Sequence, residues 1–248
     1  MKFLILSDVH GNKYGLQAVL EAGAGCDAVL CLGDIVGYGA NPNECCEILR
    51  DCDAQCLSGN HDAAALGKID SRGFNPVAKR AIEWTQQQLA PDNVHWLNGL
   101  PAHDEWPRYR FEAVHASLKE NWLEYITEFS VAIPTLERMQ FSLCFYGHTH
   151  RSDMYSCPDI PGGEKQVHHR DTPFGASINL ERRTKYLVNP GSCGQPRDGN
   201  PQAKYAVFDT KLNRVEIFQC EYDIQAARQD ILYAGLPVAL GDRLLEGR

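Results

Sequence analysis

Short apolar runs that each end in a carboxylate, an amide or an imidazole recur along the chain and constrain its fold more than any other feature. The first run begins at Phe3 and stops at Asp8-Val9-His10, and a second, at residues 28–32, stops at Gly33-Asp34. Between them, residues 14–23 carry leucine and valine at helical spacing. This order of strand, helix and strand is typical of parallel strands joined by a crossover, and it predicts an α/β fold.

Three later runs follow the same pattern. A short strand near residues 54–57 leads into Ser58-Gly59-Asn60-His61-Asp62, an alternating strand ends at His115, and a third runs into Gly147-His148-Thr149-His150. In a parallel-rich sheet the carboxyl ends of strands lie along one edge, so we expect the polar residues to converge there. We also expect Asp8 and His10 to point the same way, because residues two apart on an extended chain do so.

Local signals predict most of the remaining elements. Asn41, Pro42 and Glu44 match the start of a helix with a capping box, and Asn75-Pro76 repeats the cap-then-proline start. The other predicted segments are a connection at 100–107, one or two helices at 121–140 broken at Pro134, a long and partly mobile loop region at 151–183, strands at 185–188, 205–208 and 215–220 with the last two antiparallel, and one or two closing helices at 223–247.

Charge and cysteine content exclude several classes of protein. The chain has 24 Lys plus Arg against 32 Asp plus Glu, a net charge of -8, which disfavours nucleic acid as a partner. Its 10 cysteines include no C-x-x-C pair, so we expect reduced thiols in a reducing compartment. Without a signal peptide or a membrane-length apolar run, the sequence predicts a cytoplasmic protein, with residues 1–248 forming one domain.

The polar residues at the strand ends suit a pair of metal ions. They are Asp8, His10, Asp34, Asn60, His115, His148 and His150. Seven ligands are too many for one tetrahedral ion, and imidazole with carboxylate suits Mn, Fe or Zn. Two ions about 3.5 to 4 Å apart can clamp a phosphoryl group and activate a bridging water, which is the chemistry of phosphoester hydrolysis.

Together the five motifs resemble those of the calcineurin-like metallophosphoesterases, in the family's order, over residues 7–150. The resemblance implies a two-sheet β-sandwich flanked by helices, an αββα arrangement with the site at the sheet edges, and a metal-bridging hydroxide as the nucleophile. By matching position, the first metal would be held by Asp8, His10, Asp34 and His150. The second would be held by Asp34, Asn60, His115 and His148, so that Asp34 bridges.

The same resemblance suggests residues that act on the substrate. His61 matches the family's catalytic histidine, a general acid for the leaving alkoxide, and Asp62 is a candidate to support it, with an ordinary turn role as the alternative. Where the related phosphoprotein phosphatases carry an Asp and a phosphate-gripping Arg, this chain has Gly37 and Tyr38, which argues against protein phosphatase activity.

Two segments, around Tyr38 and around Arg197, are similar to segments of small bacterial members of the superfamily and are expected to form the wall of the pocket. Arg197 could then supply the missing phosphate contact, with Tyr38 stacking on an aromatic leaving group. Turn and packing roles remain alternatives for both residues. Arg151, next to the last ligand, is a second candidate for the phosphate contact.

The sequence thus predicts a phosphoesterase for a small-molecule substrate: a phosphodiester, a nucleotide or a dinucleoside polyphosphate. Two alternatives stay open. One is a metal-bound scaffold without catalysis, which loss of ligands would favour, and the other is a nuclease, which would need a basic track or an added DNA-binding domain. No membrane partner is expected, and the sequence leaves the oligomeric state open.

Overall fold

The computed structural model describes residues 1–119, 122–159 and 166–248, and within them twelve strands form two six-stranded sheets. The first sheet, sheet A, contains β1 (Lys2–Leu6), β2 (Ala28–Cys31), β3 (Gln55–Cys56), β9 (Ser177–Asn179), β11 (Ala203–Asp209) and β12 (Arg214–Cys220). The second, sheet B, contains β4 (His103–Trp106), β5 (Phe111–Val114), β6 (Leu143–Phe145), β7 (Ser152–Pro158), β8 (His168–Asp171) and β10 (Thr184–Pro190).

Both sheets are mixed, with a parallel part that carries the predicted motifs. The strand order of sheet A is β3-β2-β1-β11-β12-β9, in which β1, β2 and β3 are parallel and the other neighbours antiparallel. The order of sheet B is β4-β5-β6-β10-β7-β8, in which β5, β6 and β10 are parallel. The motif-bearing strands therefore come from two sheets and not from the one edge that strand patterning suggested.

Alternate residues of β1 bury opposite faces of sheet A, as the period of two in a strand requires. Phe3 and Ile5 belong to the core between the sheets, where Phe3 contacts Phe111 of sheet B edge to face. Leu4 and Leu6 belong to a second core on the outer face of sheet A. Burial on both faces explains why the run is apolar without interruption.

Helices cover the outer faces of both sheets, which gives the expected αββα arrangement. They are α1 (Lys13–Ala22), α2 (Pro42–Asp51), α3 (Asn60–Ala65), α4 (Pro76–Gln88), α5 (Pro91–Asn98), α6 (Phe129–Arg138), α7 (Ile224–Tyr233) and α8 (Val238–Glu246). The predicted strands at the chain end are confirmed, including the antiparallel pair β11 and β12, and so are the closing helices. No helix in the described ranges is long and apolar enough to cross a membrane.

Two local predictions about helices are wrong. Asn41 makes no capping bond with its side chain, and its amide instead donates to Asp230 at 3.0 Å. Helix α6 continues through Pro134, because the carbonyl that loses its partner belongs to Ser130 in an exposed first turn. By contrast, Asn75 caps α4 as predicted, accepting from Ala78 N.

Two segments interpreted as irregular contain strands. The connection at 100–107 holds β4, a polar edge strand paired with β5, and the predicted loop region at 151–183 holds β7, β8 and β9. Strand β7 gains its register from β10, about 30 residues further along, so its own sequence carries little strand signal. Residues 120–121 and 160–165, which fall in or next to the predicted segments 121–140 and 151–183, lie outside the described residues.

Candidate metal centre

The predicted ligands lie on tight loops that follow the strands, in a backbone conformation that sequence patterning did not indicate. Asp8, His10, Asp34, His148 and His150 all have positive φ, between 50 and 68°. Only a few per cent of residues other than glycine adopt this conformation, and those that do cluster at functional sites. Asp8 and His10 therefore converge because both adopt the left-handed backbone conformation. The expectation that they converge from an extended chain is wrong.

Four of the predicted ligands form a first cluster between the two sheets. The ligand atoms of Asp8, His10, Asp34 and His150 lie within 4.8 Å of one another. His10 Nε2 is 3.5 Å from Asp34 Oδ2, and His150 Nε2 is 3.4 Å from Asp8 Oδ1. The loop of sheet B is fixed on that of sheet A because His148 N lies 3.2 Å from both oxygens of Asp8.

Asp34 also belongs to a second cluster, with His115 and His148. Asp34 Oδ2 is 3.4 Å from His115 Nε2, and Asn60 Oδ1 is 3.2 Å from the same nitrogen. The structure thus brings together all seven predicted ligands, with one carboxylate common to both groups. Each of the seven is at most 4% exposed, so their polar atoms need partners other than bulk water.

Backbone carbonyls fix three of the histidines so that Nε2 faces the clusters. His10 Nδ1 lies 3.3 Å from the carbonyl oxygen of Val36, His115 Nδ1 lies 2.9 Å from that of Leu32, and His150 Nδ1 lies 2.6 Å from that of Gln195. An imidazole that donates from Nδ1 presents a lone pair at Nε2, which is the arrangement found in histidine metal ligands.

The resulting contacts between acceptors are what a cation would relieve. The Nε2 atoms of His10 and His150 are 3.1 Å apart, so two lone pairs face each other. In the described part of the chain, Asp34 Oδ2 and His148 Nε2 are buried and have no hydrogen-bond partner. A set of imidazole nitrogens, carboxylate oxygens and one amide oxygen fits transition-metal ions well.

Burial and the two carboxylates set the protonation of the site. Burial lowers the pKa of His148 to about 3 and the pKa values of His10 and His150 well below the usual range, so these rings are neutral at pH 7. Burial opposes protonation of His115 as well, but Asp34 and Asp8 raise its pKa to about 10. His115 is therefore protonated at neutral pH, and a metal ion bound by its Nε2 would displace that proton.

His61 lies beside the clusters, and one nitrogen of its ring makes no hydrogen bond within the described residues. Its backbone N donates to Asp34 Oδ1 at 2.8 Å, and its ring centroid is 4.7 Å from that of His10. Its Nδ1 is buried and, among the described residues, unpartnered. A side chain at Gly37 would place its Cβ 2.6 Å from this nitrogen, so the glycine at that position is what allows the ring to lie there. Burial lowers the pKa of His61 to about 4.

The carboxylate of Asp62 is engaged elsewhere. It accepts from Val36 N at 3.0 Å and from Gly59 N at 2.9 Å, and it is fully buried. These bonds tie together the loops that carry Asp34 and Asn60. Within the described ranges no hydrogen bond joins Asp62 to the His61 ring, so the geometry supports the turn role and offers no contact for the catalytic one.

Tyr38 does not fit the expected stacking on a leaving group. Its ring is 5% exposed, with the His61 ring at 4.4 Å and the His10 ring at 4.7 Å. Two guanidinium groups complete its surroundings, since the Cζ atoms of Arg197 and Arg243 lie 5.9 and 5.8 Å from its centroid. Little of the ring is left for a substrate.

Arg197 reaches the site, whereas Arg151 lies behind it. Arg197 Nη2 is 3.4 Å from the Tyr38 hydroxyl and 3.3 Å from Gln195 Oε1, and its charge acts on His10, His61 and other rings of the clusters. Arg151 donates to the Arg197 carbonyl at 3.1 Å. Both arginines line an adjoining cleft of about 870 Å³.

Two residues near the site were missed from the sequence. Tyr125, 46% exposed, stacks on His148 with 3.9 Å between ring centroids, and Arg243 comes from α8. Tyr125 lies in a segment without regular structure, and Arg243 is one of several charges on a closing helix, so no local pattern distinguishes either.

Comparison with known proteins identifies a family for this chain. The calcineurin-like phosphoesterase superfamily domain matches residues 1–213. An uncharacterized protein of Methanocaldococcus jannaschii is 38% identical over 98% of this chain and 97% of its own length. The crystal structure of a metallophosphoesterase from Sphaerobacter thermophilus has a TM-score of 0.86 and 35% identity, covering 100% of this chain and 99% of the other.

A more distant relative has a named activity. The symmetrical bis(5′-nucleosyl)-tetraphosphatase of Actinobacillus pleuropneumoniae is 27% identical over 128 residues, which is 49% of this chain and 47% of that protein. The chain thus matches about half the length of this relative.

Proposed function

Because the chain belongs to the calcineurin-like phosphoesterase superfamily and is a metal-dependent phosphoesterase, we propose that it uses two transition-metal ions to hydrolyse a small phosphoester. The ions are Mn, Fe or Zn, as the mixture of imidazole and carboxylate ligands favours. The proposed substrates are a phosphodiester, a nucleotide or a dinucleoside polyphosphate.

The position of Asp34 carries the proposal of two ions. Its Oδ2 is 3.5 Å from His10 Nε2 on one side and 3.4 Å from His115 Nε2 on the other. His10 belongs to the first cluster and His115 to the second, so a single carboxylate oxygen lies between two sets of nitrogen ligands. A site for one ion has no need of this arrangement, whereas a pair of ions needs a shared ligand.

Such ions, when bound, polarise a phosphoryl oxygen and lower the pKa of a water that becomes the nucleophile. The first would be held by Asp8, His10, Asp34 and His150, and the second by Asp34, Asn60, His115 and His148. The residues of the chain itself orient the ligands through the backbone carbonyls and exclude water by burial.

His61 and Arg197 are proposed to act on the substrate. At neutral pH the His61 ring is neutral, because burial lowers its pKa, and the negative charge of a bound phosphate would raise that pKa and draw a proton to Nδ1 or Nε2. The ring would then give this proton to the leaving oxygen. Arg197, whose guanidinium lies beside Tyr38, would bind a phosphoryl oxygen.

The partial similarity to symmetrical bis(5′-nucleosyl)-tetraphosphatases supports dinucleoside polyphosphates among the proposed substrates. We also propose a cytoplasmic location. Each of the ten cysteines, all of which the structure describes, is a free thiol, and this suits a reducing compartment.

The test is a substrate screen after separate loading with Mn²⁺, Fe²⁺ or Zn²⁺. The panel contains phosphomonoesters, cyclic nucleotides, linear diesters, dinucleoside polyphosphates and single-stranded DNA, with bound metal measured on the same samples. We expect close to two ions per chain and turnover of a small phosphoester. Asp34→Asn should abolish turnover, while Asp51→Asn, at an exposed carboxylate ending α2, should not. Folded protein that binds no metal would refute the proposal, and preference for DNA would favour a nuclease.

A further inference from the structure

Two arginines share the Tyr38 ring at the edge of the metal centre. Arg197 follows β10, and Arg243 lies on α8, outside the residues that match the superfamily domain. Their Cζ atoms are 5.9 and 5.8 Å from the ring centroid, and the ring itself lies against His61. Both cations are therefore one aromatic ring away from the proposed general acid.

Helix α8 is fixed in a way that holds Arg243 at this position. Leu240 and Leu244, one turn apart, are buried in a core that also includes Tyr38 and residues of α4 and α7. Arg243 precedes Leu244 and so lies at the border of the buried face. Its Nε donates to the main-chain oxygen of Arg248 at 3.0 Å, which orients the guanidinium beside the Tyr38 ring.

Neither of the two guanidinium groups is paired with an acidic side chain. In the part of the chain that the structure describes, no Asp or Glu side chain forms an ion pair with Arg197 or Arg243, and Arg197 Nε is buried without a hydrogen-bond partner. By contrast, Arg228 of α7 donates twice to Asp242 of α8. Burial, together with the charge of Arg197, lowers the pKa of Arg243. An anion bound between the two cations would relieve this repulsion.

We propose that Arg197 and Arg243 form a clamp for a second phosphate group, adjacent to the one hydrolysed, and that the enzyme therefore selects substrates in which phosphates are linked by anhydride bonds. This selectivity rests on the proposed function, because the clamped phosphate is the neighbour of the one that the metal centre is proposed to hydrolyse. A fork of N–H groups on each arginine suits the several oxygens of a polyphosphate chain. A diester with a single phosphate has no second group to offer.

The experiment compares two substrates on protein loaded with Mn²⁺: diadenosine tetraphosphate and the p-nitrophenyl ester of thymidine 5′-monophosphate, which has one phosphate. Free Mn²⁺ is held constant, because polyphosphates chelate it. Arg243→Ala should raise KM for the tetraphosphate about 10-fold or more, the loss expected for a charge-assisted hydrogen bond, with kcat nearly unchanged. KM for the single-phosphate ester should change less than about 2-fold, since that substrate makes no such contact.

Two further variants separate charge from packing. Arg243→Lys keeps the charge and should recover part of the loss, and Arg243→Gln keeps most of the stem should the alanine variant fail to fold. Arg228→Ala, on the neighbouring helix α7, should change neither KM. Equal losses on both substrates, or no loss on either, would overturn the clamp.

A binding measurement keeps the clamp distinct from the hydrolytic proposal. Titration calorimetry of the Mn²⁺-loaded protein with inorganic tripolyphosphate and with orthophosphate needs no turnover. Arg243→Ala should weaken tripolyphosphate binding about 10-fold while leaving orthophosphate binding nearly unchanged. If wild-type protein hydrolyses none of the phosphoesters in the screen, the proposed function fails, whereas absence of this difference in binding refutes the clamp.

Discussion

Gly59→Ala tests whether the close approach of two loops holds the bridging carboxylate in place. A Cβ at residue 59 would lie 2.1 Å from Asp34 Oδ1 and 2.3 Å from Asp34 N, where ordinary contacts begin at 3.4 Å. Gly59 has a φ of -94°, which any residue adopts, so the substitution adds steric conflict without backbone strain. It also leaves every proposed ligand and the general acid chemically unchanged.

The magnitude follows from the displacement. Relief of the conflict requires Asp34 or its loop to move by about 1 Å, whereas metal sites tolerate deviations of only about 0.2 Å in ligand distance. Loss of supporting contacts around ligands commonly costs about 10-fold to 100-fold in metal affinity. Overpacking of this kind costs about 1 to 3 kcal/mol in the free energy of unfolding, which for a chain of this size lowers Tm by roughly 2 to 12 °C.

The assay is a competition titration with Mn²⁺ against a fluorescent chelator, with Tm measured on the same protein. Gly25→Ala is the matched control, because a Cβ at that exposed glycine meets nothing within 4 Å. A folded Gly59→Ala protein with wild-type Mn²⁺ affinity and wild-type kcat/KM would refute the reasoning. Such a result would show that metal binding and turnover do not depend on the observed position of Asp34.

Four further predictions concern single residues. His61→Ala should keep metal affinity but lower kcat about 100-fold to 10,000-fold on an alkyl ester, as steady-state kinetics would show; an unchanged rate removes it as general acid. Arg197→Ala should mainly raise KM, and no change in either kinetic parameter would return it to a structural role. Asp8→Asn should lower the affinity for one ion and Asp34→Asn the affinity for both, as metal titrations would resolve; identical effects of the two variants would contradict a shared ligand. Because Asp34 and Asp8 outweigh burial and raise the pKa of His115 to about 10, metal loading at pH 8 should release about one proton. Calorimetry in two buffers of different ionisation enthalpy measures this, and no release would contradict it.

The position of Arg243 shows what local patterns leave out. Its importance comes from the ring it shares with Arg197, and these two residues lie 46 positions apart in the sequence. Tyr125 is similar, since only the folded chain places it on His148. Contacts of this kind depend on how α8 and the loop before α6 pack, and packing is decided by volume and shape over the whole core.

Asn41 and Asn75 show the same limit within helix starts. Both precede a proline, yet only Asn75 caps its helix, because the Asn41 side chain finds Asp230 on a helix far along the chain. Tyr38 was expected to face a substrate, but His10, His61 and two guanidinium groups surround it. In each case the residue type was suitable and a distant partner decided its use.

What the sequence by itself determined is the set of strand ends and the polar residues that follow them. Periods of two and 3.6 residues and the chemistry of caps act over a few neighbouring positions, so they can be seen in a single chain. Only the tertiary structure decided that Asp8 and His10 turn to face the site through left-handed backbone, that two sheets bring His115 and His10 to opposite sides of Asp34, and that α8 contributes a cation. These arrangements arise from burial and from bonds between segments far apart in sequence, which no short stretch of the chain contains.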